Sequence, residues 1–267
     1  MKKGNTYPDS AAMQSGEAEI DVHWPRFPES AGGISSTARE ELDKALEELQ
    51  MHKDAWVAFG IDERIAILDE IKRDMLAVAD RWVAASLDAK GIPLQTPAEG
   101  EEWALLGGVF RIVRLLRRSL VDIRKHERPQ IPGPVITRPD GQAIAQVFPQ
   151  TQLEKILFRG FTGEVWMEPG VTPEEAIRTQ ARIYQDKDHA GKVVLVLGAG
   201  NASTLLPTDL LYKLFVEDQV VALKCKPVNA YLGPLVEEGF RALVRRGFLR
   251  VVYGGVGAGT YLCHHPA

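Results

Sequence analysis

The chain has 267 residues, of which 45% are apolar and 25% are charged, and its formal net charge is −4. These values indicate one large or two smaller globular domains, and they give no reason to expect nucleic acid or a membrane as a partner. Two cysteines, Cys225 and Cys263, are too few for a disulfide framework and are typical of a reducing compartment. With no signal peptide and no apolar run of about 20 residues, we expect a cytoplasmic protein.

The first third of the sequence predicts an arm followed by helices. Residues 1–35 mix glycine, serine, proline and charge without a period, which indicates a flexible arm. Residues 37–40 have the form of a capping box, and two later helices are predicted from about Asp62 to Gly91 and from about Glu101 to Lys125. The predicted buried faces are Leu42, Ala45, Leu46 and Leu49; then Leu68, Ile71, Met75, Val78 and Trp82; then Ile112, Leu116, Leu120 and Ile123.

Three arginines, Arg111, Arg114 and Arg118, share another face of the third helix. Such a face would suit a cofactor phosphate or nucleic acid. A solvated face or a salt-bridged contact with another subunit is commoner, and we favour that interpretation.

The middle of the chain predicts β-structure. Residues 135–148, with Pro139-Asp140-Gly141 inside them, predict a protruding β-hairpin. Because a hairpin has open edges that often pair with another chain, we expect a homo-oligomer formed through the helices and this hairpin. Residues 155–167 predict a strand, and residues 172–175 predict a helix start.

From residue 192 the sequence alternates between strands and helices. Strands are predicted at 193–197, 220–223 and 249–252, helices at 207–216 and 231–246, and a glycine-rich turn at 254–259 before a last short helix. This alternation predicts βαβ units and a parallel sheet. Three strands form half of a doubly wound domain, so one edge of the sheet is left unpaired.

The predicted fold class is therefore α/β, with an N-terminal helical layer packed on an incomplete Rossmann-like parallel sheet and a protruding β-hairpin. The predicted division is a flexible arm at 1–35, a helical segment with the hairpin at 36–190, and a Rossmann-like half-domain at 191–267.

The turn Gly198-Ala199-Gly200-Asn201 follows the first strand of this sheet. Such a position commonly holds phosphates or developing negative charge, and Asn201 or Ser203 can cap the next helix. The glycines begin a dinucleotide fingerprint, but Ser203 replaces its third glycine. A methyltransferase would open similarly, yet it predicts an acidic residue where Lys224 ends the second strand.

Over residues 36–267, and most strongly over 192–265, the chain resembles the N-terminal half of the aldehyde dehydrogenase superfamily. Asn201 takes the position of that family's oxyanion-stabilising asparagine. Leu223-Lys224 takes the position of a Leu-Lys pair whose lysine contacts the adenosine ribose, and the spacing from Asn201 is that of the family. The stretch 227–234 and the glycines of 254–259 match the segments that follow.

The resemblance implies an oxidoreductase that uses NAD or NADP and oxidises a small-molecule aldehyde to an acid by hydride transfer to the nicotinamide. It implies oxyanion stabilisation by Asn201 and no metal site. The cofactor-binding residues that it implies are Leu197, Gly198, Gly200, Lys224, Pro227, Gly255 and Gly259.

Three departures from the family pattern qualify these roles. Small residues replace the aromatic and proline residues around the asparagine. Pro227 replaces a common ribose-binding glutamate, so we hypothesise that Lys226 allows the 2′-phosphate of NADP. The chain ends before the family's glycine-serine turn, general-base glutamate and nucleophilic cysteine, so we expect a truncated N-terminal part that is inactive alone. The alternative is a non-catalytic cofactor-binding or oligomerisation module.

Neither cysteine is expected to be the nucleophile. Cys225 lies between two lysines, which favours its thiolate, but the resemblance places it on the ribose side. Cys263 is expected to pack within the last helix. His264 and His265 lack companion ligands at metal spacing.

Overall fold

A computed structural model of the chain describes residues 33–186 and 188–267, so most of the predicted arm at 1–35 lies outside the described residues. The helices are α1 (Arg39–Ala58), α2 (Ile61–Ala89), α3 (Glu99–His126), α4 (Gln152–Leu157), α5 (Pro173–Arg178), α6 (Arg182–Gln185), α7 (Leu205–Phe215), α8 (Gly233–Gly239), α9 (Arg241–Val244) and α10 (Val256–His264). The strands are β1 (Val135–Thr137), β2 (Ala143–Phe148), β3 (Gly163–Trp166), β4 (Lys192–Leu197), β5 (Gln219–Lys224) and β6 (Leu249–Val252). Among these residues, no helix combines the length and apolarity needed to cross a membrane.

The parallel sheet has the strand order β4-β5-β6, with β5 in the centre. Helix α1 packs across all three strands, and α7 packs on β4 and β5. Successive side chains of a strand point to opposite faces, and residues 220–224 of β5 are all buried, so both faces of the sheet are covered. The predicted fold class, with a helical layer on an incomplete Rossmann-like sheet, is confirmed. The edge strand β4 is less buried, and the side chain of Leu197 at its end is exposed.

The helical layer buries the α2 stripe that the sequence predicts. All five of its side chains are fully buried, and α2 packs against α3, α8 and α9. Side chains from the helices and the parallel sheet form one continuous apolar cluster. In this cluster, the ring of Trp56 contacts Phe215 and Phe248, and its indole N–H donates to the carbonyl of Leu214. Burying these aromatic rings joins α1 to the sheet and to α7.

Two local helix predictions are wrong. Thr37 does not cap α1, because its hydroxyl accepts a hydrogen bond from the N–H of Tyr253, at 2.9 Å, and its own N–H donates to the Tyr253 carbonyl. Tertiary pairing with the end of β6 therefore replaces the local cap. In α3, the predicted Ile112 and Leu116 are only half-buried. The buried side chains of α3 are Glu102, Leu106, Val109, Val113, Leu120 and Ile123.

The second sheet is antiparallel, with the order β1-β2-β3, and it contains the predicted hairpin. The strand predicted at 155–167 is shorter, because residues 152–157 form α4, which is capped by the hydroxyl of Thr151. The helix start predicted at 172–175 is confirmed by the hydrogen bond from the N–H of Glu175 to the Thr172 hydroxyl.

The three arginines of α3 bind the segment before and within α4. Arg111 and Arg114 contact the carboxylate of Glu154, at 3.2 and 3.5 Å, and Arg118 donates to the carbonyl of Gln150. This face is therefore salt-bridged, but to Glu154 of the same chain rather than to another subunit as expected. The basic residues anchor α4 and the segment before it, which connect β2 to β3, to the helical layer.

The last third departs from its prediction at two points. The helix predicted over 231–246 is divided into a 3₁₀ helix at Pro227–Leu232, then α8 and α9, with Phe240 between the last two. The glycine-rich turn is shorter than predicted, because α10 begins at Val256 and includes Gly257 and Gly259.

Candidate functional site

A cavity of about 820 Å³ opens where the carboxyl ends of β4, β5 and β6 meet. Its lining residues are Leu197, Gly198, Lys224, Lys226, Pro227, Val228, Gly255, Val256, Gly259, Thr260, Cys263 and His264. Six of the eight site residues predicted from the sequence are among them. Parallel strands end at the same edge of a sheet, which brings together residues that lie far apart in the chain.

The two other predicted residues, Gly200 and Asn201, do not line this cavity. The side chain of Asn201 is exposed, on the turn that leads to α7. Neither Asn201 nor Ser203 is the N-cap of α7, because Thr204 occupies that position. The expected capping role is therefore wrong.

Contacts from three parts of the chain fix the turn after β4. The N–H of Gly198 donates to the carbonyl of Lys224 at 3.0 Å. A Cβ at Gly198 would lie only 2.2 Å from Cδ2 of Leu206, so any larger residue would force this buried side chain to move. The buried side chain of Asn229 donates from Nδ2 to the carbonyl oxygens of Ala199 and Ala202, at 3.0 and 3.4 Å.

Sequence reasoning missed Asn229, although one signal was available. Asn229 stands between Val228 and Ala230, and an amide in an apolar segment of a globular protein must find hydrogen-bond partners when it is buried. Its partners here are the carbonyl groups of the turn itself.

Lys224 lies at the end of β5 and is buried. Burial is the main cause that lowers the pKa of its ammonium below 10.5, and the nearby Lys226 lowers it further. A Cβ at Gly259 would lie 4.0 Å from Nζ of Lys224, so this ammonium points towards α10. Removal from water disfavours the charged ammonium, and an anion bound in the cavity would favour it again.

Lys226 lies across the turn that follows β4. A Cβ at Gly200 would lie 2.8 Å from Cδ and 3.1 Å from Nζ of Lys226. Gly200 therefore contributes by leaving room for this lysine, rather than by lining the cavity.

The cavity combines an apolar lining with positive charge. Leu197, Pro227 and Val256 supply apolar surface, and the two lysines supply cationic groups. Gly255 and Val256 begin α10, whose N-terminal N–H groups carry partial positive charge. A Cβ at Gly255 would meet no atom within 4 Å, so its backbone is open to a ligand. This arrangement fits a ligand with apolar rings and phosphates, such as a dinucleotide.

The cysteines behave differently from their predictions. Cys225 is fully buried, and burial is the main cause that raises the pKa of its thiol to about 12, although Lys224 acts in the opposite direction. The neighbouring Lys224 thus favours the thiolate as expected, but burial outweighs it and keeps the thiol protonated. Cys263 is exposed and lines the cavity, instead of packing within the protein. Within residues 33–186 and 188–267, no group of three histidine, cysteine or acidic side chains is placed to hold a metal.

Solved structures show which known fold this chain shares. It matches an NADP-dependent glyceraldehyde-3-phosphate dehydrogenase from Bacillus halodurans C-125, complexed with NADP, with a TM-score of 0.51 and 15% identity over 87% of this chain and 40% of that one. It also matches proline utilization A (PutA) from Bradyrhizobium japonicum, with a TM-score of 0.53 and 14% identity over 87% of this chain and 19% of that one. No protein-family model and no curated protein sequence matches.

This chain thus spans less than half the length of the solved structures that it matches. At such low identity, the comparison concerns the arrangement of the backbone. Both structures are of members of the aldehyde dehydrogenase superfamily. The resemblance found in the sequence is confirmed at the level of the fold: this chain has the fold of part of an aldehyde dehydrogenase.

Proposed function

We propose that this chain binds NAD or NADP at the cavity formed by the ends of β4, β5 and β6, as part of an aldehyde dehydrogenase-like oxidoreductase. The observation that carries this proposal is the convergence of Leu197, Gly198, Lys224, Pro227, Gly255 and Gly259 on one cavity. One of the matched solved structures is of an NADP-dependent dehydrogenase with NADP bound, which supports the choice of ligand.

The residues around the cavity have distinct roles in this proposal. Lys224 contacts the ribose or a phosphate, and the N-terminus of α10 faces the phosphates. The open backbone at Gly255 and Gly259 allows the ligand to approach closely. A bound nicotinamide cofactor would supply the hydride acceptor for the oxidation of an aldehyde to an acid.

Asn201 is the proposed oxyanion-stabilising residue. Its exposed amide lies on the same turn as Gly198, which lines the cavity, and the N–H groups of an amide donate to a developing oxyanion. Cys225 is not assigned the role of nucleophile, since its thiol is buried and its pKa is raised to about 12.

Homo-oligomerisation through the antiparallel sheet is also part of the proposal. Both of its outer strands, β1 and β3, carry exposed apolar side chains, among them Ile136, Val165 and Trp166. Open strand edges with such residues favour association with a second chain. Sedimentation velocity on the purified protein tests this point.

Titration of NADP and of NAD into the purified chain tests cofactor binding. We expect both to bind, and we expect Lys226→Ala to weaken NADP binding by about tenfold and NAD binding by much less, because Lys226 attracts the 2′-phosphate. Lys192→Ala is the matched control, since it removes the same charge at the opposite end of β4 and should change neither affinity. Binding of NAD much more tightly than NADP would contradict the 2′-phosphate role, and binding of neither would refute the site.

The pH dependence of NADP binding provides a test that is specific to Lys224. Below its lowered pKa the ammonium is charged and attracts the ligand, and above that pKa the attraction is lost. We therefore expect the affinity to fall with rising pH before the 10.5 of an ordinary lysine is reached, and we expect Lys224→Met to abolish this fall. Isothermal titration calorimetry at several pH values measures the affinity for NADP of the wild-type chain and of Lys224→Met. An unchanged pH profile in Lys224→Met would contradict the contact.

A further inference from the structure

A buried carboxylate joins the helical layer to the turn after β4. Glu102 of α3 is only 1% exposed. One of its oxygens lies 2.5 Å from the ammonium of Lys90, and the other accepts a hydrogen bond from the hydroxyl of Ser203 at 3.0 Å. Ser203 is itself buried, and a single residue separates it from Asn201.

The negative charge of Glu102 is compensated by the positive charge of Lys90. A buried carboxylate is costly unless a cation and hydrogen-bond donors compensate it. Lys90, at the C-terminal end of α2, supplies the cation, and the hydrogen bond to Glu102 is the main cause that raises the pKa of its ammonium. With one oxygen held by Lys90, the other oxygen of Glu102 is fixed in position to receive the Ser203 hydroxyl.

We propose that Glu102 is a positioning residue that sets the conformation of the Gly198–Asn201 turn. Asn229 holds the carbonyl groups of Ala199 and Ala202, and Glu102 holds the side chain of Ser203. The backbone on both sides of Asn201 is therefore fixed from two different elements. The turn has no repetitive structure of its own, so these contacts determine its geometry.

This geometry matters for binding because the turn also carries Gly198, which lines the cavity. Ser203 follows Asn201 by two residues and Gly198 by five, so a shift of its backbone affects the conformation of the same short turn. The effect of Glu102 on cofactor affinity rests on the proposed function, whereas its effect on the turn does not.

Amide hydrogen exchange with Glu102→Gln tests the positioning role without any ligand. Glutamine keeps the size of the side chain but removes the charge that holds Lys90 and strengthens the Ser203 contact. We expect protection of the amide of Gly198, which donates to the carbonyl of Lys224, to fall by about tenfold, which is the size of effect of losing a charged hydrogen bond. The NADP dissociation constant should rise by a similar factor, while protection in β5 and α1 stays as it is.

Glu101→Gln is the matched control. Glu101 precedes Glu102 in α3 and also contacts Lys90, at 3.4 Å, but its side chain is 67% exposed. Its substitution should leave both exchange and affinity unchanged. Ser203→Ala, which removes only the hydroxyl and spares the ion pair, should reproduce the loss of protection in the turn and is the variant to use if Glu102→Gln does not fold.

The outcomes separate the two proposals. If the wild-type chain does not bind NADP, the cofactor site is refuted, and the exchange data still test the positioning role. If NADP binds but Glu102→Gln and Ser203→Ala leave the turn protected, the positioning role is refuted and the cofactor site stands. Equal loss of protection throughout the protein in Ser203→Ala would also overturn it, because that pattern marks a general structural role.

Discussion

Arg64→Ala is expected to lower the free energy of unfolding by about 3–5 kcal/mol, because it breaks a buried ion pair and leaves the carboxylate of Asp218 without its main partner. The guanidinium of Arg64 lies 2.6 Å from that carboxylate, and both side chains are at most 4% exposed. Arg64 also donates to the carbonyl groups of Trp56 and Phe59, at 2.7 and 3.1 Å. Three groups, in α1, in the connection from α1 to α2 and just before β5, therefore depend on one side chain.

The contacts around this pair explain why substitution of either partner is costly. The guanidinium stacks on the ring of Trp56, 4.3 Å from its centroid, so its loss also removes a cation–π contact in the aromatic cluster. Asp218 has a φ of 58°, in the left-handed region, where asparagine is the best substitute. The imidazole of His189 lies 3.2 Å from the other oxygen of the same carboxylate, so Asp218 has a second, weaker partner.

Urea denaturation of three variants measures this effect. Arg64→Ala should show the full loss, and Arg64→Met combined with Asp218→Asn should recover part of it, because neither buried charge then remains. Arg81→Ala is the control, since it breaks an ion pair with Glu238 of similar length, 2.5 Å, whose side chains are about half exposed. An equal change in Arg81→Ala and Arg64→Ala would show that burial does not decide the value of these pairs.

The sequence predicts the structure best in segments with a helical period and at the ends of parallel strands. The stripe of α2 repeats with the period of a helix, and its side chains, Leu68 and Trp82 among them, are fully buried. The resemblance to the family implies Lys224 and Gly259 for one site, and their places at and after the ends of parallel strands agree with this, because such ends meet at one edge of a sheet. The cavity confirms that these residues lie together, and their contact with a cofactor stays a prediction.

The sequence predicted least where a contact joins distant parts of the chain. Glu102 and Ser203 are separated by 101 positions, and no local pattern marks either one as a partner. Thr37 has the sequence context of a cap, yet its hydroxyl is taken by Tyr253, 216 positions away. A polar side chain can form hydrogen bonds of similar strength with several different groups. Which of these groups lies within hydrogen-bond distance depends on how the helices pack.

Tertiary packing also explains why the glycine-rich segment at 254–259 is a helix over most of its length and not the predicted turn. Residues 254–259 have the composition of a turn, but the structure continues as α10 from Val256. The intrinsic cost of glycine in a helix is about 1 kcal/mol per residue, which the burial of Leu262 and the packing of α10 on β4 can offset. Only Gly254 in this segment has a positive φ, of 141°, and it precedes the helix.

Because Gly259 is helical and faces the cavity, its substitution is expected to reduce cofactor affinity strongly. In Gly259→Leu, the new side chain would enter the cavity beside Lys224, because the position faces it and has open space around the added Cβ. We expect the affinity for NADP to fall by at least about a hundredfold, or roughly 3 kcal/mol, since the ligand and the leucine would need the same space. The melting temperature should stay the same or rise, because leucine favours a helix over glycine.

Gly257→Leu is the matched control for this change. Gly257 lies in the same helix, has no atom within 4 Å of an added Cβ, and does not line the cavity of about 820 Å³. It should gain the same helical stability as Gly259→Leu and keep its affinity for NADP. Calorimetric titration measures the affinity for NADP of both variants, and thermal melting measures their stability.

Tight binding of NADP by Gly259→Leu would place the ligand elsewhere. An equal loss of affinity in both variants would attribute the effect to α10 as a whole. If Gly259→Leu alone loses affinity for NADP while its stability is kept or raised, the cofactor binds at the carboxyl ends of β4, β5 and β6.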